Sequence, residues 1–380
     1  MSIATRALDF RSFIVMDVME RAHVLEKQGK SIIHLEIGEP DFDTPQCIRE
    51  AGIRAIREGK THYTHSLGIP ELREAICYRY HDLYGVDVSP DQVVVTSGTS
   101  PAMVLLFSAL LEYEDEIIVS NPYYPCYPNI INYVGGKPAF LDVHEYDGFQ
   151  FRPEEVAQKI TQRTKAILIN SPSNPTGNLL SAERMQQIGE LGPYIVSDEI
   201  YHGLVYEGKE HSILEYTDQA FVMNGFSKLY AMTGWRLGYV VAPRAFIRPM
   251  QKIQQNLFIS ANSVSQWAAV TALKEAQPDV ERMKATYDQR RLYMLRRLKE
   301  LGFVIEVDPA GAFYVLARAN HLSNNSYELA FQILEKACVG VAPGVDFGTN
   351  AEGYLRFSYA NSIENITEGL NRIEKFINDR

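Results

Sequence analysis

Between Val93 and Val241, short apolar runs alternate with longer segments of helical character, and this alternation restricts the fold more than any other feature. The runs are Val93-Val94-Val95, Ile117-Ile118-Val119, Ala166-Ile167-Leu168-Ile169, Tyr194-Ile195-Val196, Phe221-Val222-Met223 and Tyr239-Val240-Val241. Runs of this length, rich in β-branched residues, are typical of buried strands in a mostly parallel sheet that helices cover. The sequence therefore predicts an α/β fold.

Polar or small residues follow five of these runs. They are Thr96-Ser97-Gly98-Thr99, Asn121-Pro122, Asn170-Ser171-Pro172, Ser197-Asp198-Glu199 and Asn224-Gly225. Ligands of parallel α/β sheets bind outside the carboxyl ends of the strands. We therefore expect these five strand ends to converge on one site.

The flanking segments indicate additional structure beside the sheet. Apolar residues at helical spacing predict a helix over Ile14–Gly29, and Pro70–Tyr84 reads as another helix with proline in its first turn. The run Ile32–Ile37 predicts a strand. After Asp279 comes a long charged helix, with Arg296-Arg297 on a solvated face, and then a second α+β region. A chain of 380 residues has room for a large domain and a smaller one.

Composition argues against several classes of partner and site. Lys and Arg number 37 against 47 Asp and Glu, so the formal charge of −10 does not favour nucleic acid or anionic lipid. No run of about 18 apolar residues predicts a transmembrane helix, and the N-terminal residues lack the apolar region of a signal peptide. The four cysteines and nine histidines show no metal-ligand spacing. We expect a cytoplasmic protein with free thiols and no metal.

A lysine and an arginine in neighbouring motifs give the most specific chemical signal. Lys228 ends Gly225-Phe226-Ser227-Lys228, just beyond an apolar run, and Arg236 lies in Thr233-Gly234-Trp235-Arg236-Leu237-Gly238. Burial at a sheet edge lowers the pKa of a lysine and makes its neutral amine a nucleophile near neutral pH. Arg236 offers planar donors for a phosphate dianion. An isolated lysine is more often a solvated surface residue.

Three other turns place polar groups at predicted strand ends, and each has an ordinary structural alternative. Asp198 needs a cationic or donor partner, such as a protonated ring nitrogen, unless it caps a helix. Gly98 begins a helix whose backbone N–H groups would bind phosphate, unless this is a plain strand-to-helix turn. Asn174 lies in the proline-rich segment Ser171–Gly177, which fixes its amide or is simply a turn.

Together these motifs resemble one known family. In order they are Gly38-Glu39-Pro40-Asp41-Phe42, Tyr63 with Gly68, Gly98-Thr99-Ser100, Tyr124, Asn174-Pro175-Thr176-Gly177, Asp198-Glu199-Ile200-Tyr201, Ser227-Lys228, Arg236 and Arg356-Phe357-Ser358. The chain resembles the class I and II pyridoxal-phosphate (PLP)-dependent aminotransferases of fold type I. It looks closest to their aspartate, alanine and aromatic aminotransferase branch. The resemblance extends from about Ile32 to Arg356.

The resemblance implies an architecture and a reaction. A large PLP-binding domain would cover residues 48–285, with a mostly parallel seven-stranded sheet flanked by helices. Residues 286–380 would form a smaller α+β domain, and residues 1–47 an N-terminal arm and part of that smaller domain. The implied reaction moves an amino group from an L-amino acid to a 2-oxo acid, with 2-oxoglutarate a common acceptor, in a two-half cycle through a Lys228 aldimine.

The resemblance also implies a role for each motif residue around the cofactor. Lys228 would bind PLP covalently and move protons, and Asp198 would pair with the ring nitrogen. Tyr201 and Asn174 would hydrogen-bond the ring hydroxyl, and Tyr124 would stack on the ring. The catalytic set is thus Lys228, Asp198 and Tyr201, and the phosphate would be held by Gly98, Thr99, Ser100, Ser227 and Arg236.

Substrate binding and oligomeric state follow from the same resemblance. Arg356 would bind the substrate α-carboxylate, helped by Asn174 and by the backbone of Gly38. Tyr63 would reach the phosphate bound in the neighbouring subunit, which implies a homodimer with shared active sites. No metal, nucleic acid or membrane partner is expected. Tyr127, in contrast to Tyr124, is expected to fill the core or the interface.

Two departures from the family pattern and two alternative functions remain open. Gly225 replaces a serine or threonine that contacts the phosphate in many relatives. Ser100 replaces a lysine that binds a distal carboxylate in some aspartate-specific relatives, which favours neutral or aromatic amino donors. The same constellation serves PLP-dependent C–S β-lyases and aminocyclopropane-carboxylate-synthase-like enzymes. A non-enzymatic PLP-binding regulator is a minor alternative, because the chain shows no basic patch.

Overall fold

Twelve strands form three sheets in the part of the chain that the structure, a computed structural model, describes, residues 3–380. Met1 and Ser2, the start of the predicted N-terminal arm, lie outside it. The strands are β1 (Ile33–His34), β2 (Val93–Thr96), β3 (Glu116–Asn121), β4 (Lys137–Asp142), β5 (Thr164–Asn170), β6 (Tyr194–Asp198), β7 (Ala220–Gly225), β8 (Gly238–Val241), β9 (Tyr314–Arg318), β10 (Val339–Gly340), β11 (Ala342–Pro343) and β12 (Tyr354–Ser358).

The large sheet has the strand order β2-β8-β7-β6-β5-β3-β4. Strand β8 is antiparallel to both of its neighbours, and all other pairs are parallel. Alternate side chains enter different cores: Val93 and Val95 pack on one face of the sheet and Val94 on the other. Burial on both faces explains why these strands are apolar throughout. The predicted α/β fold with a mostly parallel seven-stranded sheet is confirmed.

Helices cover both faces of this sheet and pack around the smaller ones. They are α1 (Thr5–Leu8), α2 (Ile14–Lys27), α3 (Gln46–Arg57), α4 (Pro70–Tyr84), α5 (Thr99–Leu110), α6 (Cys126–Tyr133), α7 (Pro153–Lys159), α8 (Ala182–Gly189), α9 (Arg244–Leu257), α10 (Ser263–Glu275), α11 (Gln277–Glu300), α12 (Ser326–Ala337) and α13 (Ile363–Asn378). The predicted helix over Pro70–Tyr84 has these bounds, and the helix predicted over Ile14–Gly29 ends at Lys27. No described helix is both long and apolar enough to cross a bilayer.

Two small sheets bring the N-terminal and C-terminal parts of the chain together. Strands β11, β12 and β9 form an antiparallel sheet, and β1 pairs in parallel with β10. The predicted boundary between residues 285 and 286 falls inside α11, which is continuous from Gln277 to Glu300. The three-part domain division stays a prediction.

Two strand predictions need correction. The edge strand β4 was not predicted, because it lies at the edge of the sheet and its residues are only half-buried or exposed. The predicted strand Ile32–Ile37 shrinks to Ile33–His34. At Leu35 the backbone changes partner: its N–H still bonds to the carbonyl oxygen of Gly340 in β10 at 3.0 Å, while its own carbonyl accepts from the N–H of Ser358 in β12 at 2.7 Å. Leu35 thereby joins the two small sheets and does not extend one of them.

Candidate active site

A cavity of about 220 Å³ lies at the carboxyl ends of the central strands. Its polar wall includes Lys228, Asp198, Asn174 and Arg356, and the small sheet contributes Tyr314. Three of these residues lie in loops that immediately follow β5, β6 or β7, or at the end of the strand. The sheet thus brings together side chains that are far apart in the sequence, as expected for a parallel α/β fold.

Lys228 is half-buried, and its amine lies in this cavity. Its Nζ donates to the carbonyl oxygen of Gly38 at 2.6 Å and lies 5.8 Å from the ring centre of Phe313. Burial lowers the pKa of Lys228 to about 8, and the nearby carboxylate of Glu39 opposes this shift. A substantial neutral fraction is therefore present near neutral pH, which is the condition for nucleophilic attack or proton abstraction.

Asp198 is the buried acid of the same cavity, at the end of β6. Burial raises the pKa of Asp198 to about 6, while hydrogen bonds to its carboxylate act in the opposite direction. Tyr127 donates to Oδ2 at 2.7 Å, and the N–H of Ile200 donates to Oδ1 at 3.2 Å. These donors favour the ionised form, so Asp198 can serve as the counter-ion of a cationic ligand group.

Tyr127 has a role beyond the predicted one. It fills the core as expected, and it also lines the cavity and donates to Asp198. Its position in the tyrosine-rich segment after β3 carries no local signal of this role. The contact depends on α6, which brings Tyr127 across the end of β6.

Two tyrosine hydroxyls meet beside the lysine. Tyr201 and Tyr314 lie 2.9 Å apart, oxygen to oxygen, and both are buried. Burial raises the pKa of Tyr201 well above its ordinary value, so the phenol stays a hydrogen-bond donor. A Cβ at Gly38 would collide with the Tyr314 hydroxyl, which explains the glycine in this position. Tyr314 is a further cavity residue that the sequence motifs did not include.

Arg356 is an almost fully buried guanidinium in β12. Its Nη1 donates to Oδ1 of Asn174 at 2.9 Å, and its Nη2 donates to the carbonyl oxygen of Glu36 at 2.5 Å. The rings of Tyr314 and Phe347 flank it at 4.3 and 4.8 Å from their centres. Within the described chain, its Nε finds no hydrogen-bond partner. A buried cation with an unused donor beside a cavity is suited to binding an anion.

A glycine turn and an arginine form a second polar region beside the cavity. Gly98 has φ +106° and precedes α5, and a Cβ there would lie 2.8 Å from Nη2 of Arg236. Thr99, the first residue of α5, also lines the cavity. The absence of a side chain at Gly98 therefore lets the guanidinium approach the N-terminal N–H groups of α5, an arrangement suited to phosphate.

Other predicted residues lie outside the cavity wall. Ser100 and Arg236 are exposed, and Ser227 is half-buried. Tyr63 is 83% exposed.

Tyr124 lines the cavity and packs edge-on against Tyr127 with ring centres 5.4 Å apart. The structure thus brings Tyr124 to the lysine and leaves Tyr63 on the outer surface of the chain.

The predicted convergence of five strand ends is correct only in part. Asn170 and Asp198 reach the cavity, and Thr99 enters it from the loop after β2. Asn121 turns away, because its amide donates to Asp142 at 2.7 Å and to Thr349 at 3.0 Å. Ser197 points to the opposite face of β6 and donates to Glu199. Alternate residues of a strand face opposite sides, so Ser197 and Asp198 cannot both enter one site.

An amine whose pKa is lowered to about 8, in the same cavity as a buried acid whose pKa is about 6, meets the requirements of a PLP enzyme. The strand order and the glycine turn at the start of α5 agree with fold type I. Fold and site together point to the class of PLP-dependent enzymes.

The chain belongs to the aminotransferase class I and II family, whose model matches residues 30–373. It is 45% identical to the (5-formylfuran-3-yl)methyl phosphate transaminase of Methanocaldococcus jannaschii, over 99% of this chain and 100% of that protein. It is 40% identical to the aspartate aminotransferase of Pyrococcus horikoshii, over 98% and 96% of the two chains.

Solved structures agree with this assignment. A protein of Methanococcus jannaschii, described as similar in its active site to kynurenine aminotransferases, matches with a TM-score of 0.93 and 44% identity over 99% of this chain and 100% of that one. The aspartate aminotransferase of Thermus thermophilus with maleate matches with a TM-score of 0.95 and 37% identity over 99% of both chains. The protein is a PLP-dependent aminotransferase, which transfers an amino group from an amino acid to a 2-oxo acid.

Proposed function

We propose that this aminotransferase uses Lys228, Asp198 and Tyr201 as its catalytic residues and acts on amino acids with neutral or aromatic side chains, with 2-oxoglutarate as an acceptor. The observation that carries the proposal is the burial of Lys228 and Asp198 in the same cavity as Arg356, whose Nε is unpaired within the described chain. This combination provides a nucleophile, a counter-ion and a carboxylate-binding group in one place.

The residues present fit PLP. Lys228 would supply the amine that binds the cofactor covalently, and Asp198 would pair with its ring nitrogen. Tyr124 would pack against the ring, while Tyr201 and Asn174 would hydrogen-bond its hydroxyl. The phosphate would be held by the remaining set, Gly98, Thr99, Ser100, Ser227 and Arg236. Support comes from the glycine turn, where a side chain would obstruct the Arg236 guanidinium.

Bound PLP supplies an aldehyde carbon that takes up the amino group and a ring that accepts electron density when the substrate Cα–H bond breaks. Lys228 would act as the base that removes the proton at the substrate Cα and as the acid that gives a proton back. The pKa of about 8 that burial gives Lys228 is close to the working pH, which favours both directions of transfer.

Arg356 and Asn174, two residues of the polar wall, orient the substrate. Arg356 binds the α-carboxylate through its free donor, and Asn174 holds the guanidinium at 2.9 Å. The Gly38 carbonyl, which accepts from Lys228 at 2.6 Å, keeps the amine beside the substrate Cα. Fixing the carboxylate selects which bond of Cα breaks, and orientation of this kind accounts for much of an enzyme's rate.

Part of the cavity lining is apolar. Phe13, Val15, Met16, Met19 and Ile37 contribute to it. Ser100 offers no positive charge for a distal carboxylate. The relative at 45% identity is named for an aldehyde that carries a furan ring, and a ring suits such a wall. We therefore include this phosphorylated furan aldehyde among the acceptors to be tested.

A spectral screen tests the proposed function. The purified holoenzyme is mixed with each of the twenty amino acids, and conversion of the bound cofactor to its amine form is followed by absorbance. Aromatic or neutral donors are expected to react fastest, and 2-oxoglutarate or the furan aldehyde should restore the starting spectrum. Release of pyruvate from cystathionine without amino transfer would support a β-lyase and contradict the proposal.

Replacing Tyr127 with phenylalanine is expected to shift the pH profile of activity. Burial raises the pKa of Asp198 and the Tyr127 hydrogen bond lowers it, so loss of that bond raises the pKa further. Asp198 acts in its ionised form, and the acidic limb of kcat/KM should therefore move to higher pH, by about 0.5–1 unit. Profiles between pH 5 and 9 measure the shift. Tyr133→Phe, at an exposed tyrosine of the same helix, should leave the limb in place.

We further propose that the enzyme is a cytoplasmic homodimer and that Tyr63 reaches the phosphate in the partner's site. Tyr63 is 83% exposed, and the exposed apolar segment Leu257–Ile259 lies nearby, since Gln255 donates to Ser66 at 3.1 Å. Sedimentation should give twice the chain mass. Tyr63→Phe should weaken PLP binding about 10-fold, the effect of one lost hydrogen bond to a charged group. A monomeric holoenzyme with full activity would contradict this.

A further inference from the structure

Helix α2 forms one wall of the substrate cavity. Val15, Met16 and Met19 of this helix line it, and so does Phe13, the residue that precedes the helix. Val15 also packs against Phe347, Leu316 and neighbouring residues of the small sheet. The position of the first turn of α2 therefore sets how closely the apolar wall approaches a bound amino acid.

The first turn of α2 depends on a distant carboxylate. The N–H groups of Ile14 and Val15 donate to Oδ1 and Oδ2 of Asp346 at 2.9 and 3.1 Å. Phe13 occupies the N-cap position, and its side chain cannot accept these bonds. Asp346 is 7% exposed, and both of its carboxylate oxygens accept hydrogen bonds from α2. An acid at a helix N-terminus stabilises it through both hydrogen bonding and the helix dipole.

The turn that carries Asp346 is itself held in place and touches the carboxylate-binding arginine. The N–H of Val345 donates to Oγ of Ser326 at 3.1 Å, and the Phe347 carbonyl accepts from the N–H of Tyr123 at 2.9 Å. The Phe347 ring lies against the Arg356 guanidinium at 4.8 Å. One turn therefore supports the apolar wall on one side and Arg356 on the other.

We propose that Asp346 is a positioning residue for amino-acid binding, which holds the first turn of α2 against the substrate cavity. The inference rests on the proposed function, because it takes the cavity to be the amino-acid site. Asp346 is not among the residues that line the cavity. It acts through α2: when the carboxylate is lost, Val15, Met16 and Met19 withdraw, and substrate binding weakens while PLP binding is retained.

The test compares Asp346→Ala and Asp346→Asn with wild-type holoenzyme. Alanine removes both acceptors, whereas the asparagine amide keeps one, so its effect should be intermediate. Glu20→Gln is the control, since it removes a carboxylate from the exposed face of the same helix. Melting curves confirm that each variant is folded, and if the alanine variant fails to fold, the asparagine variant carries the comparison.

Three measurements separate the possible roles. Hydrogen exchange of the backbone N–H groups of residues 13–20 reports whether α2 has loosened. Titration of the visible absorbance reports PLP affinity. The dependence of the amine-forming half-reaction on amino-acid concentration gives KM and kcat. We expect faster exchange, a KM raised about 10-fold in Asp346→Ala, as for loss of a charged helix cap and its packing, and a kcat and PLP affinity changed less than twofold.

Several outcomes would overturn the inference. Exchange that is unchanged in both variants would show that Asp346 does not hold α2. Faster exchange with an unaltered KM would show that α2 is not part of the binding wall, and loss of PLP would show that Asp346 acts on the cofactor site. If the wild-type enzyme gives no amino-acid-dependent spectral change, the proposed function fails, whereas the exchange measurement still decides whether Asp346 holds the helix.

Discussion

Lys228→Ala is expected to abolish both the visible absorbance of bound PLP and the transfer of amino groups. The variant loses the amine that binds the cofactor covalently and moves the substrate proton, so turnover should fall by at least about 10³-fold. We expect no other amine to take over this role, because the Lys228 amine lies inside the cavity, where it donates to the Gly38 carbonyl oxygen at 2.6 Å. Absorption spectra and single-turnover rates of the purified protein measure the two losses.

Lys274→Ala is the matched control for this prediction. Lys274 is exposed in the last turn of α10, and alanine is a good helix former there. The control should keep the spectrum and the rate of the wild-type enzyme. Turnover that survives in Lys228→Ala would refute the assigned role, and the amine would then have to be sought elsewhere in the chain.

Arg356→Ala is expected to raise KM for the amino acid about 100-fold or more while PLP stays bound. Removal of a buried charged partner from a carboxylate costs on the order of 2–5 kcal/mol. Arg356 also packs between two aromatic rings, so Arg356→Lys, which keeps a charge, serves as the milder variant and should retain part of the affinity. Steady-state kinetics over a wide range of substrate concentration give the change.

Arg296→Ala controls for loss of an arginine from the surface, because Arg296 is 67% exposed on α11. It should leave KM unchanged. Loss of PLP in Arg356→Ala, with the amino-acid KM unaffected, would contradict our assignment, because the arginine would then bind an anion of the cofactor and not the substrate carboxylate. The two largest effects are thus separable, because the proposed role of Lys228 is in covalent binding and chemistry and that of Arg356 is in substrate affinity.

Local patterns predicted the large sheet because its central strands are buried on both faces. Such strands must be apolar throughout, and each is short enough to be recognised from a few residues. The edge strand β4, Lys137–Asp142, was not predicted, because an edge position lets polar residues face solvent. The strand predicted over Ile32–Ile37 was too long because the observed strand ends where Leu35 changes its hydrogen-bond partner. The partners of Leu35 are more than 300 residues away in the sequence.

The predicted site divides along similar lines. Lys228 and Asp198 were recognisable because each follows a buried strand and belongs to a motif. Tyr127 was missed because its bond to Asp198 spans 71 residues. The prediction that Ser197 reaches the site was wrong because strand residues alternate in direction, a geometric rule that a list of strand ends ignores.

By itself, the sequence determined the fold class and the order of the motifs, and it singled out Lys228 and Asp198 as the proposed reactive amine and its acidic partner. These depend on local composition and on residue chemistry, which are read along the chain. Only the tertiary structure decided that Tyr127 donates to Asp198 and that the hydroxyls of Tyr314 and Tyr201 meet. It also decided that Asp346 accepts from the first turn of α2, although Asp346 lies 332 residues from Ile14 in the sequence. The physical reason is that sheet order and helix packing choose the partners of buried polar groups, and neither is written in a local pattern.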